Sequence, residues 1–133
     1  MSASKGARLN RLVRVAQLIY RREAAELARK QLDAREASEI VIDAEQRLDG
    51  PLAGGDFLAQ LSVARAARAR QQLANADAQV HAQLEVTMDA MSRSKGAESE
   101  LDIHAMEIEK ARARKDADDL QERIARPPSS SLG

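Results

Sequence analysis

Cysteine and tryptophan are missing from this 133-residue chain, which holds one Phe, one Tyr and three prolines. Without cysteine there are no disulfides and no thiolate metal sites, a usage that fits a reducing compartment. Aromatics are 2% of the residues and alanine is the commonest apolar side chain, so little is available to fill a globular core. Whatever core forms must be thin and elongated. Charge of one sign is not in surplus: 21 Lys and Arg balance 21 Asp and Glu. The chain as a whole therefore has no electrostatic reason to seek nucleic acid or a membrane surface. Long apolar runs are missing too. The longest aliphatic one, Ile40-Val41-Ile42, falls far short of the roughly 20 residues that span a bilayer.

What is present is a helix-forming composition. Ala, Glu, Lys, Leu and Arg make up just over half the chain, which with helical periodicity marks a coiled coil or a long helix. Residues 13, 20, 27, 34, 41 and 48 are Val, Tyr, Leu, Ala, Val and Leu, an apolar column that recurs every seven residues. Its companion column, Leu9, Ala16, Glu23, Lys30, Ala37 and Ala44, carries two charges and three alanines. The seam is narrow and suits a two-stranded coil. Later in the chain Leu73, Val80, Thr87, Ser94, Leu101 and Ile108 form a second column, with Leu84, Met91 and Ala105 as companions. That column loses its apolar character through Ser92–Ala97, where Gly96 predicts a bend, a stutter or fraying.

Helix breakers gather in one place. LDGPLAGGDF (48–57) holds three of the six glycines and one proline. Gly50 and Pro51 stop one helix, and Asp56 is placed to cap the next. So short a connection folds consecutive helices into antiparallel neighbours. The sequence thus predicts a single all-α coiled-coil hairpin. Its parts are helix 4–49, turn 50–55, helix 56–125 and a disordered tail 127–133, set off by Pro127 and Pro128. The arms are unequal, about 65–70 Å and about 105 Å at 1.5 Å per residue. Pairing outward from the turn puts Arg8 opposite Ala97 and leaves roughly the last 24 residues of the second helix as a C-terminal overhang, about 36 Å long. A lone helix of that length is marginal in water. The ends are charged against the helix dipole: Lys5, Arg8, Arg11 and Arg14 open the first helix, and Asp116, Asp118, Asp119 and Glu122 close the second. Local pairs Arg112–Asp116, Arg114–Asp118, Lys115–Asp119 and Glu122–Arg126 are expected to offset part of this.

Candidate chemistry is sparse. Glu100, His104 and Glu107 share a helical face, but no second histidine accompanies them and the face reads as wet, so no metal is expected there. His81 is expected to pack beside Val80 and Leu84, and Met88, Met91 and Met106 to fill the core or its edge. LAGGD lacks the spacing of a phosphate-binding loop. No Ser–His–acid set can be assembled on a two-helix hairpin, which argues against an enzyme and against a cofactor. The opening MSASKGARLNRLVRVAQLIYRR is basic, amphipathic and free of acid until Glu23, as transit peptides are. Its periodicity runs on through Glu23, which favours a helix of the mature chain. The same basic arm could lie on phosphates or lipid, yet it lacks stacking aromatics. Near the turn, Ile40 and Ile42 flank Val41 over about 200° of helix surface, more than one seam covers. With Phe57, Leu58 and Leu61 they form an apolar cluster that either staples the turn or docks a partner.

The stretches RLNRLVRVAQLIYRREAAELARKQLDA (8–34) and MEIEKARARKDADDLQERI (106–124), in unequal antiparallel arms with charged outer faces, resemble the FliJ-type stalk proteins of bacterial flagellar export and the similar YscO-type proteins of injectisomes. The resemblance implies a non-enzymatic, cytoplasmic, monomeric stalk, peripheral to the inner-membrane export apparatus. Its implied partners are a hexameric export ATPase, the membrane protein of the export gate and the chaperones of export substrates, with neither nucleic acid nor membrane insertion. By the same analogy Arg8, Arg11, Arg14, Leu101 and Ile108 would face the ATPase, and Ile40, Ile42, Phe57, Leu58 and Leu61 the gate. The alternative is a generic coiled-coil scaffold or dimeriser that self-associates through the overhang.

Overall fold

The computed structural model describes residues 2–49 and 55–126, and among these there are two α-helices and no strand. Helix α1 runs Ser2–Asp49 and α2 runs Gly55–Ala125. They pack against each other as an all-α antiparallel hairpin, in the manner the two heptad columns predict. Helix α1 ends at Asp49, the residue before the Gly50-Pro51 pair; residues 50–54 lie outside the described residues. Helix α2 opens on Gly55 at φ 77°, a left-handed conformation that costs other L residues about 1–2 kcal/mol. Asp56 stands inside the first turn and not before it. Its carboxylate still faces the positive end of the helix, so the favourable charge is kept although the capping position is not. Past Ala125 the Arg126 N–H donates to the Glu122 carbonyl at 3.0 Å. The expected stop at Pro127-Pro128 and the tail lie outside the described residues.

The chain divides into two compact units: Ala16–Ser94, and the start of α1 up to Val15 with α2 from Lys95 onward. In the Ala16–Ser94 unit no member of the expected α1 seam is exposed; Tyr20, Leu27, Ala34 and Leu48 are half-buried and Val41 is buried. Glu23, Lys30 and the alanines of the companion column are half-buried as well. On α2 the inward residues of this unit are Ala66, Ala69, Leu73, Ala76, Val80, Gln83, Thr87, Ala90 and Ser94. Their spacing alternates three and four, a regular heptad seam. Its second column is therefore 69, 76, 83 and 90. Of the companions expected from sequence, Leu84 is exposed and Met91 only half-buried. The reason is composition. The true column is alanine and glutamine, whose hydropathy does not stand out from the outer face.

In the other unit Leu9 and Val13 of α1 are buried, as is His104 of α2; Ala97, Leu101 and Ile108 are half-buried. Ala105, expected inside, is exposed. Helix α2 is unbroken through Gly96, so fraying is not found there, although the boundary between the units falls between Ser94 and Lys95. The register of this unit differs from the one drawn outward from the turn. Gly6 lies against His104, whereas the turn alone would pair it with Ser99. Pairing is set by where the seam side chains fit, and His104 seats its ring over a position that has no Cβ. The overhang shortens accordingly. Every residue from Glu109 to Arg126 is exposed, fewer than the 24 expected.

Candidate interaction surfaces

Heptad phase decides which of the expected contact residues face outward. Arg8, Arg11 and Arg14 lie off the seam of α1, and all three are exposed. Arg11 Nε donates to the Ala7 carbonyl at 3.5 Å, along its own helix. Leu101 and Ile108 fall on the α2 seam, half-buried in the same unit as buried Leu9 and Val13. Their primary work is to hold α1 and α2 together, and a charge at either would disturb the hairpin before it disturbed any partner. The outward apolar residues of this part of α2 are instead Ile103, Met106, Leu120 and Ile124. A periodicity search that follows one column misses them, because they lie two positions out of phase with it. Met106 and Met88 are exposed, contrary to the core role expected of them; only Met91 is half-buried.

The cluster at the end of α1 and the start of α2 belongs to the Ala16–Ser94 unit. Val41 is buried in the seam, while Ile40, Ile42, Phe57, Leu58 and Leu61 are all exposed, Phe57 at 73%. The connection these residues were expected either to staple or to flank, 50–54, lies outside the described residues. A groove in the same unit is lined by Ile40, Ala44, Ser62 and Ala69 together with Asp43, Arg47, Arg65 and Arg68. Asp43 is held by Arg47 at 3.3 Å. Arg70 Nε reaches across to Glu45 Oε1 at 3.0 Å. Both pairs are exposed and add little stability.

Within the same unit the two charges of the α1 companion column find partners. Gln83 Nε2 lies 2.6 Å from Glu23 Oε2 and 3.2 Å from the Glu23 carbonyl. Thr87 Oγ1 is 2.8 Å from the Gln83 carbonyl and 3.2 Å from that of Glu23. Lys30 Nζ donates to Gln83 Oε1 at 3.4 Å. Buried polar groups are tolerated when paired in this way, and this set occupies two full turns of the seam.

His104 is the exception. It is buried, and its Nε2 has no hydrogen-bond partner among the described residues. A pocket beside it is lined by Lys5, Leu9, Glu100, Ile103 and Glu107. Glu100 and Glu107 are exposed, as expected of a wet face, but the His104 ring is covered by α1 at Gly6. Among the described residues no group of His, Asp and Glu is arranged to hold a metal ion. His81 is exposed and does not pack into the seam. No described helix is long and apolar enough to cross a membrane.

The expected local ion pairs of the last turns, Arg112–Asp116, Arg114–Asp118, Lys115–Asp119 and Glu122–Arg126, are not formed. Intrahelical pairs among the described residues include Glu26–Arg29, Asp43–Arg47 and Asp89–Arg93. In each of these the acid precedes the base, the favoured order along a helix. Three of the four unformed pairs run base before acid, and the fourth involves Arg126, beyond the end of α2. Comparison with protein-family models, with characterised proteins and with solved structures finds no match to this chain.

Proposed function

We propose that this chain is a non-enzymatic stalk of a bacterial type III export system, flagellar or injectisome, coupling the export ATPase to the export gate and its substrate chaperones. The observation that carries the reading is the extension of α2 past its partner helix, with every residue from Glu109 to Arg126 exposed. A helix of that kind gains little from its own chain and is marginal alone in water; its stability comes from contact with another protein. The exposed Arg8, Arg11 and Arg14 supply a basic face in the same unit, suited to an acidic rim of the ATPase. The exposed Ile40, Ile42, Phe57, Leu58 and Leu61 supply an apolar surface for the gate. On this reading the protein works in the cytoplasm, peripheral to the inner membrane.

The test is the purified ATPase. The triple variant Arg8→Glu, Arg11→Glu, Arg14→Glu is expected to lose co-purification with the hexamer and stimulation of its hydrolysis, with helicity unchanged. Full stimulation by that variant ends the reading. Ile42→Asp with Phe57→Asp is expected to spare stimulation and to stop export in cells, and normal export would remove the gate-facing role.

A further inference from the structure

Past Ile108 the hairpin seam of α2 would continue through Ala111, Lys115, Asp118 and Glu122, and apolar residues no longer hold it. A different stripe takes over. Ile103, Met106, Lys110, Ala113, Ala117, Leu120 and Ile124 alternate spacings of three and four without a break. The stripe lies two residues, about 200°, away from the seam. All seven residues are exposed, Ile103 at 53%, Met106 at 58%, Leu120 at 57% and Ile124 at 76%. All belong to one compact unit. Among the described residues none covers this stripe from Lys110 onward, while at its near end Ile103 also lines the pocket beside His104 with Lys5 and Leu9.

We infer that the occupant is a second copy of the same chain, paired antiparallel over residues 100–123. The flanking charges select that arrangement. In a heptad with Ile103 and Met106 at the core positions, Asp102, Glu109, Asp116 and Arg123 line one edge and Glu100, Glu107, Arg114 and Gln121 the other. A parallel dimer stacks Lys110 on Lys110 of the second copy inside the core, and its flanking pairs cancel, Asp102 beside Glu107 repelling and Glu109 beside Arg114 attracting. The antiparallel register that lays Ile103 on Leu120 also lays Met106 on Ala117 and Lys110 on Ala113, a large residue on a small one in the last two layers. It brings Asp102 to Arg123 and Glu107 to Arg114, each pair occurring twice by symmetry. Its like-charged contact, Glu109 with Asp116, also occurs twice and lies beside Lys110, which leaves four attractive flanking contacts against two repulsive ones. Sliding by one heptad, to Met106 on Ile124, pairs Glu109 with Arg123 twice but puts Arg114 against its own copy and Asp116 against its own copy, so the flanking charges cancel. Charge therefore fixes both direction and register. None of these side chains makes an ion pair within its own chain among the described residues.

The export reading implies a monomer on the ATPase, so this pairing belongs to the chain free of ATPase, and it is measured on the purified chain alone. Because the chain has no cysteine, single thiols report the geometry without background. Ile103→Cys mixed with Leu120→Cys is expected to give a disulfide-linked dimer on mild oxidation, and neither variant alone to do so, since their like positions lie about 25 Å apart in this register. Sedimentation over a concentration series is expected to show a reversible monomer–dimer equilibrium, weakened about tenfold or more by Leu120→Asp. Arg123→Asp should weaken it as well, and Arg123→Asp with Asp102→Arg should restore it. These positions are exposed, so helicity is the control that each variant still folds. Self-linking of Ile103→Cys alone would show a parallel pair and overturn the inference. A chain that stays monomeric at every concentration overturns it too, and leaves the stripe to a different protein.

Discussion

Gln83 of α2 and Glu23 of α1 meet inside the seam, with the amide nitrogen 2.6 Å from the carboxylate and 3.2 Å from the carbonyl of the same residue. Many other seam positions of this unit are alanine, among them Ala34, Ala66, Ala69, Ala76 and Ala90. Such layers look alike after a shift of seven residues, and this one does not. A single polar layer of this kind is a known means of fixing register at some cost in stability.

Replacing Gln83 with Leu should therefore separate stability from specificity. The substitution leaves the half-buried Glu23 carboxylate without its donor, a loss of about 1–3 kcal/mol, while adding apolar surface. The expected net is a modest fall in the urea midpoint together with exchange broadening in amide spectra of residues 16–48. A sharp single set of resonances would mean that the polar layer does not set the register.

His104 carries the opposite lesson. Its buried Nε2 is unpaired, and an unmet polar atom costs about 1–3 kcal/mol. His104→Leu, close in volume, is expected to raise the melting temperature; a drop in thermal denaturation would show that the nitrogen has a partner in solution.

Gly96 is helical, exposed and has open space where a Cβ would stand. Gly96→Ala should stabilise α2 by about 1 kcal/mol, read as a higher denaturation midpoint. Gly55 also has open space, but its φ is 77°. Gly55→Ala should cost about 1–2 kcal/mol for the left-handed conformation, and equal effects at the two glycines would contradict the assigned backbone.

Leu101→Glu with Ile108→Glu puts two charges into the half-buried seam of the unit that holds Leu9 and Val13. Hydrogen exchange is expected to rise sharply over residues 4–15, whatever partner is present, because α1 loses the surface it rests on. Protection that stays unchanged would place both side chains outside the seam.

Much of the fold was legible. The column from Val13 to Leu48 is the α1 seam, the hairpin forms, and both helices end within a residue or two of where Gly, Pro and Asp mark their limits. The α2 seam was half legible. Leu73, Val80, Leu101 and Ile108 showed it, but its other column is alanine, Gln83 and His104, residue types that also populate outer faces. In the sequence Leu101 and Ile108 lie past the pairing limit set by the turn, in the overhang that the family resemblance assigns to the ATPase. The true register brings α1 far enough along α2 to cover them. Ile103, Met106, Leu120 and Ile124 needed a search in a second phase, which hydropathy alone does not prompt in a helix that already has one seam.

Alanine in the seam also has a mechanical consequence. Small side chains let two backbones approach but interlock weakly, so helices faced this way resist separation better than sliding. Under a force directed along the helix axes, the Ala16–Ser94 unit should hold at Glu23, Lys30, Gln83 and Thr87 and creep elsewhere. In any device that transmits thrust or torque, those four side chains would act as the detent.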